Sequence, residues 1–281
     1  MIDLTRLIEQ VNELTPLPAS TVRLAGLVSN PACDLDDVAE LIVFDQALTL
    51  RLLRVANSAA SSPEMPVGDV KGAVIRMGTA QVLALAVAAG ARPVLQTRID
   101  AYGLDEGALW RHSVAAATAA ETMAAFTSVA PPPETFTAAL LHDVGKLVMG
   151  RFLSDEILAF IRRAQEVDHL DRLEAESLLL NANHAEIGGL IAQHWKLPPR
   201  VVSGITHHHD PEQGQDAICD FVYLANQVAK RIEAGLDGRE FELSIRPDVA
   251  ERLCLTKRIL DDLCPIAALR FAQVRRRYDA I

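Results

Sequence analysis

The chain has 281 residues, enough to bury a core without disulfide or metal staples, as one large domain or two small ones. Half of the residues are hydrophobic and 23% are charged, the profile of a folded globular protein. The net charge of −10 and the 5% aromatic content argue against a general nucleic-acid binder, which needs a positive face and stacking platforms. Cys33, Cys219, Cys254 and Cys264 are scattered, with no C-x-x-C pair. They predict neither a zinc ribbon nor a disulfide framework and fit a reducing compartment. Met1–Arg6 is polar where a signal peptide would be apolar. The longest strongly apolar run, Val82–Ala91, is about half of the roughly 20 residues that a membrane helix needs. The expectation is a cytoplasmic protein with no membrane and no nucleic-acid partner.

In chain order the periodicity is helical almost throughout. Asp34 is a candidate N-cap for a helix carrying Leu35, Val38 and Ile42. Asp34, Asp36, Asp37 and Glu40 read as charges favoured by the helix dipole, not as a calcium loop. Ala47–Ala60 lacks Gly and Pro and reads as a buried helix, broken by Pro63, Pro66 and Gly68. Asp69 caps the next helix, Gly78 closes it, and an apolar helix follows at Gln81–Ala91. The polar segment from Thr97 to Gly107 reads as a link. Beyond it an alanine-rich helix runs from Leu109 to about Phe126, and Pro131–Pro133 is a rigid spacer. Helices are then expected at Phe136–Leu147, Ile157–Val167, Leu173–Leu180, Ala185–Trp195, Arg200–Thr206, Asp216–Ala234, Pro247–Leu253 and Thr256–Tyr278. Phe241–Ile245 is the one weak strand candidate. The fold class is all-α in two helical lobes. The expected divisions are residues 1–100, 101–234 and a C-terminal helical extension at 235–281.

Histidine and aspartate residues gather in the second lobe. His112 lies near the start of the alanine-rich helix, His142-Asp143 ends Leu140-Leu141, His184 opens a helix, and His207-His208-His209-Asp210 follows another. Polar groups set among apolar helices need partners when buried. Imidazole and carboxylate together suit Fe, Mn, Zn or Ni better than Ca. An adjacent His-Asp pair can bind one metal through the imidazole while the carboxylate bridges to a second. Lys146, one turn on, is placed to hold a phosphate. Each element is weak alone: a single buried histidine is more often a hydrogen-bonded core residue, and a histidine run is often a solvated loop. His169 and His194 have no partner in the pattern and read as ordinary surface or interface residues. Trp110 and Trp195 read as packing residues, and Arg275–Arg277 as a solvated helix face.

Taken together the pattern resembles the HD superfamily of metal-dependent phosphohydrolases and, more closely, the HDOD-domain family of bacterial signalling proteins. The likeness runs from about Leu14 to Ala229. Leu14-Thr15-Pro16-Leu17-Pro18, Asp45-Gln46-Ala47-Leu48-Thr49, Leu52–Ala59 and Ala73–Gly78 carry it in the first lobe. Leu141–Lys146, His184–Gly188, Trp195–Pro198 and Ile205–His209 carry it in the second. Asn57-Ser58 has no catalytic reading, but its segment is the most specific of the match. Gln46 replaces the usual proline. Asn226 stands where active HD phosphohydrolases carry their last aspartate. An amide coordinates only through its carbonyl oxygen and carries no charge, which weakens a metal and removes a base. Asp220, six residues earlier, is too far along the axis to replace it.

The resemblance implies an HD-type bundle with His112, His142, Asp143, His184, His208, His209 and Asn226 around one or two divalent transition metal ions. Asp143 would bridge, and Lys146 would stabilise charge on a phosphoryl oxygen. Three readings follow: a weakly catalytic or non-catalytic signalling module that binds a protein partner or a small phosphorylated ligand, a phosphohydrolase acting on a nucleotide or phosphodiester, or a histidine-rich polar core without metal. Asn226 favours the first.

Overall fold

The computed structural model describes residues 9–30, 32–57, 66–167 and 169–279. The expectations at Met1–Arg6, Ser58–Ala60 and Pro63 lie outside the described residues. Chain contacts separate two units: one is residues 16–92 with 195–198, the other the described parts of 1–15, 93–194 and 199–281. The division therefore falls at Arg92 rather than at residue 100, and the segment 235–281 groups with the unit that carries the histidines.

The smaller unit is built from α1 (Ala19–Val28), α2 (Leu35–Val43), α3 (Gln46–Ala56), α4 (Val70–Met77) and most of α5 (Thr79–Leu95). Aspartates begin three of these helices. Asp34 accepts a bond from the Asp36 amide at 3.1 Å, Asp45 from Leu48 at 3.0 Å and Asp69 from Gly72 at 2.8 Å. Gln46 is the first helical residue after the Asp45 cap, so the helix starts there without the proline. Asn57 has a structural role. Its side chain donates to the Val67 carbonyl at 2.8 Å and accepts from the Val67 amide at 2.7 Å, holding the two positions together. Gly78 turns the chain between α4 and α5 with φ +79, a conformation that favours glycine. Leu24, Val38, Ile42, Leu52, Val74 and Val87 are fully buried.

The larger unit is organised around α6 (Ala108–Met123), which packs against α7 (Thr135–Leu141), α14 (Ala217–Leu236) and α16 (Lys257–Asp279). Ala115, Ala116, Ala117 and Ala119 are fully buried, and their small side chains let neighbouring helices approach. The remaining helices are α8 (Lys146–Phe152), α9 (Asp155–Val167), α10 (Arg172–Leu180), α11 (His184–His194), α12 (Pro199–Thr206), α13 (Pro211–Gly214) and α15 (Pro247–Arg252). Among the described residues there is no strand; the only bridge pairs Ile99 with Leu104, and Phe241–Ile245 is irregular. No single helix among them is long and apolar enough to cross a membrane.

The expected helix Phe136–Leu147 is two helices. α7 ends at Leu141, α8 begins at Lys146, and the intervening turn carries His142 and Asp143. The turn tightens to three-residue bonds, from the Val144 amide to Leu141 at 2.9 Å and from Lys146 to Asp143 at 3.0 Å. Gly145 makes that turn possible. A Cβ there would collide with the His184 carbonyl oxygen and lie 2.6 Å from the Gly188 amide of α11.

Candidate metal centre

Each candidate donor arrives on a different piece of the larger unit. His112 lies in α6, His142 and Asp143 in the α7–α8 turn, His184 opens α11, His208 and His209 follow α12, and Asn226 lies in α14. All are buried except His209, which is partly exposed. The structure brings all seven sequence-derived ligands together.

They form two groups. In the first, His112 Nε2 lies 3.2 Å from His142 Nε2, 3.2 Å from Asn226 Oδ1 and 3.5 Å from Asp143 Oδ2. In the second, His184 Nε2 lies 3.1 Å from His209 Nε2 and 3.3 Å from Asp143 Oδ1, and His208 Nε2 is 3.8 Å from that same oxygen. The two Asp143 oxygens thus face different imidazole groups.

Outer contacts fix which ring nitrogens hold protons. His142 Nδ1 meets the Ala139 carbonyl at 2.7 Å and His208 Nδ1 the Ile205 carbonyl at 2.7 Å. A carbonyl can only accept, so each Nδ1 donates and each Nε2 presents a lone pair. His112 Nδ1 is 2.8 Å from Glu233 Oε2, and His184 Nδ1 is 2.8 Å from Glu176 Oε2. Carboxylates accept in the same way and orient both rings. His112 and His142 therefore turn lone pairs toward each other, with the Asn226 carbonyl oxygen beside them. Asp143 Oδ1 and His208 Nε2 are buried without a hydrogen-bond partner. Acceptors that converge without protons call for a cation, and His112–His142–Asp143 and His184–His208–His209 each meet within 4.8 Å. The residues present fit a divalent transition metal.

The electrostatics agree at His142, His208 and His209. Burial, reinforced by His112 and Lys146, holds His142 down to about 3. Burial, helped by His184, holds His209 down to about 2, and burial with His209 and His142 keeps His208 well below the usual imidazole range. All three are neutral and ligand-ready. Burial would raise the Asp143 carboxyl, but Lys146 and the surrounding histidines outweigh it and hold it well down. Lys146 Nζ reaches Asp143 Oδ2 at 2.5 Å. Burial pulls His184 down, yet Asp143 and Glu176 prevail and raise it.

Two carboxylates escaped the sequence reading. Glu176 also accepts from the His184 amide at 3.1 Å, from Tyr102 at 2.8 Å and from Arg172 at 3.3 Å. Glu233 follows Asn226 by two helical turns, a faint signal for a shared face. His207 has its ring outside both groups, and Asp220 is tied to Arg252 at 2.7 Å, away from the metal donors.

A family model described as the HDOD domain matches residues 14–211. The chain belongs to the HDOD domain family. The match stops short of α14, so Asn226 and Glu233 lie beyond it. Among solved structures the chain is similar to an HDOD-domain protein of unknown function from Geobacter sulfurreducens, at 25% identity and TM-score 0.63, covering 93% of this chain and 88% of that one. It is also similar to a Shewanella amazonensis SB2B protein provisionally named a phosphohydrolase, at 27% identity and TM-score 0.59, covering 92% and 97%. An uncharacterized protein of Treponema pallidum is 27% identical over 230 residues. The chain spans 44% of the length of that curated relative.

Proposed function

We propose that this HDOD protein is a metal-binding regulatory module of bacterial signal transduction, with little or no hydrolytic turnover. The convergence of proton-free acceptors on both faces of Asp143 carries the reading. His112, His142, Asp143 and Asn226 would hold one ion, and His184, His208 and His209 with the other Asp143 oxygen a second. When bound, such an ion supplies a fixed positive centre that ties α6, the α7–α8 turn, α11, the segment after α12 and α14 into one arrangement. A protein partner, or a small phosphorylated ligand, then reads that arrangement.

One observation favours regulation over catalysis. Asn226 brings a neutral oxygen to His112 where a carboxylate would anchor the metal and take a proton. The phosphohydrolase reading draws on the divided Asp143 oxygens and on Lys146, which would stabilise charge on a phosphoryl oxygen.

The deciding experiment measures hydrolysis of bis-p-nitrophenyl phosphate by manganese-loaded wild type and by His142→Ala. The expected rates are equal and near background. Wild-type turnover that His142→Ala loses would overturn the regulatory reading.

A further inference from the structure

Four histidine rings of the centre have an outer partner at Nδ1: His112 meets Glu233, His142 the Ala139 carbonyl, His184 Glu176 and His208 the Ile205 carbonyl. His209 has none among the described residues. Its Nε2 faces His184 at 3.1 Å, and no hydrogen bond orients the ring from its outer side. Backbone bonds do not supply the missing hold. His208 and His209 lie between α12 and α13, and neither amide donates to a backbone carbonyl. Whatever fixes His209 must act on the chain just beyond it.

The next residue is Asp210, and both of its side-chain oxygens are held. Oδ2 accepts from Gln213 Nε2 at 2.7 Å, and Oδ1 accepts from Arg246 Nη1 at 2.9 Å, 36 residues further along the chain. Arg246 is itself mounted on several sides. Its Nε and Nη2 donate to the two oxygens of Asp248 at 3.0 and 3.1 Å, a fork that fixes the guanidinium plane. Its Nη2 also reaches Glu212 at 3.4 Å, and its backbone amide donates to the Tyr223 hydroxyl of α14 at 3.3 Å. Asp248 accepts in turn from Arg252 at 3.0 Å, and Arg252 forks onto Asp220 of α14 at 2.9 and 2.7 Å. Asp210, Arg246, Asp248, Arg252 and Asp220 thus form one ladder of alternating charge. An isolated exposed pair fixes little, whereas a network with bidentate geometry holds position. Apart from Asp210, every rung lies beyond the residues 14–211 that the family model matches.

We propose that Arg246 is a positioning residue for the metal centre: by clamping Asp210 it sets His209 against His184 and His208. The proposal rests on the metal-binding reading above and adds to it a residue that touches no metal donor. Arginine suits the role because its planar fork can grip Asp248 and still present Nη1 to Asp210. Without the clamp, the second donor group keeps two oriented imidazoles in place of three.

The test loads the whole chain with cobalt(II), whose visible absorption reports ligand geometry. Wild type, Arg246→Met, Arg246→Lys, Asp210→Asn and the double variant Arg246→Met/Asp210→Asn are compared. Cobalt affinity is read by chelator competition, the spectrum at saturating cobalt, and Tm on the metal-free chain. Arg246→Met should bind cobalt about tenfold more weakly, the lower end of the loss for outer partners of metal ligands, with an altered saturated spectrum. Arg246→Lys should stay within about threefold of wild type, because Asp210 keeps a cation. The double variant should match Arg246→Met within about twofold, as when both substitutions break one contact. If Arg246→Met does not fold, Asp210→Asn set against Arg246→Lys decides, with weaker cobalt binding and an altered spectrum expected in the first alone. A lower Tm with wild-type affinity and spectrum would make Arg246 merely structural and overturn the proposal, as would losses that add in the double variant. A wild type that takes up no cobalt would refute the metal centre itself, a failure seen before any variant is compared.

Discussion

At His184 both ring nitrogens are committed. Nδ1 meets Glu176 at 2.8 Å, and Nε2 faces Asp143 and His209. The ring is held in that tautomer by a carboxylate that itself accepts from Tyr102 and Arg172. Removing the Glu176 charge should loosen the ring without removing a ligand. Glu176→Gln is expected to weaken metal binding by about 10–100-fold, measured by competition with a chromogenic chelator. An unchanged affinity would mean that Glu176 is only structural. At this scale the sequence was most legible where residue type is rare: His112, His142-Asp143, His184 and His208-His209 stand out among apolar helices. Asn226 was legible through the resemblance, and the structure puts it 3.2 Å from His112. Glu176 and Glu233 were not. Carboxylates recur on solvated helix faces, and only tertiary contact distinguishes those that turn inward.

At the scale of elements, three aspartate caps and the positive-φ Gly78 were written locally, and the helices begin or end there. The break at His142 was not. Phe136–Leu147 has continuous apolar periodicity, and its interruption comes from a neighbour, because α11 packs backbone to backbone against Gly145. Gly145→Ala should therefore destabilise the larger unit by roughly 1–3 kcal/mol, as overpacking does, and displace His142 and Asp143. Chemical denaturation with metal analysis checks both; a variant as stable and as metal-rich as wild type would show that the contact is soft. The weak strand expectation at Phe241–Ile245 failed for a related reason. A short apolar run forms a strand only with a partner, and none is present among the described residues.

At the scale of the molecule, the donors lie between residues 112 and 226, and all belong to one compact unit. An unfolded chain cannot hold them together, so metal binding adds to folding stability. At a free metal concentration 100 times Kd the gain is about 2.7 kcal/mol. For a unit of this size that amounts to a rise in Tm of roughly 5–10 °C. The fold class was open to sequence reading because the helical period is a strong signal, whereas the grouping of the His and Asp residues rested on the resemblance, each element being weak alone. The unit boundary was not, because Arg92 lies within the continuous helix α5. The central claim is that the two faces of Asp143 hold a divalent metal. Elemental analysis of purified protein tests it most directly, beside a His142→Ala/His208→Ala variant. The account predicts at least one first-row transition metal ion per wild-type chain, a fall in Tm when a chelator removes it, and neither in the variant. No bound metal in wild type, even after reconstitution, would contradict it.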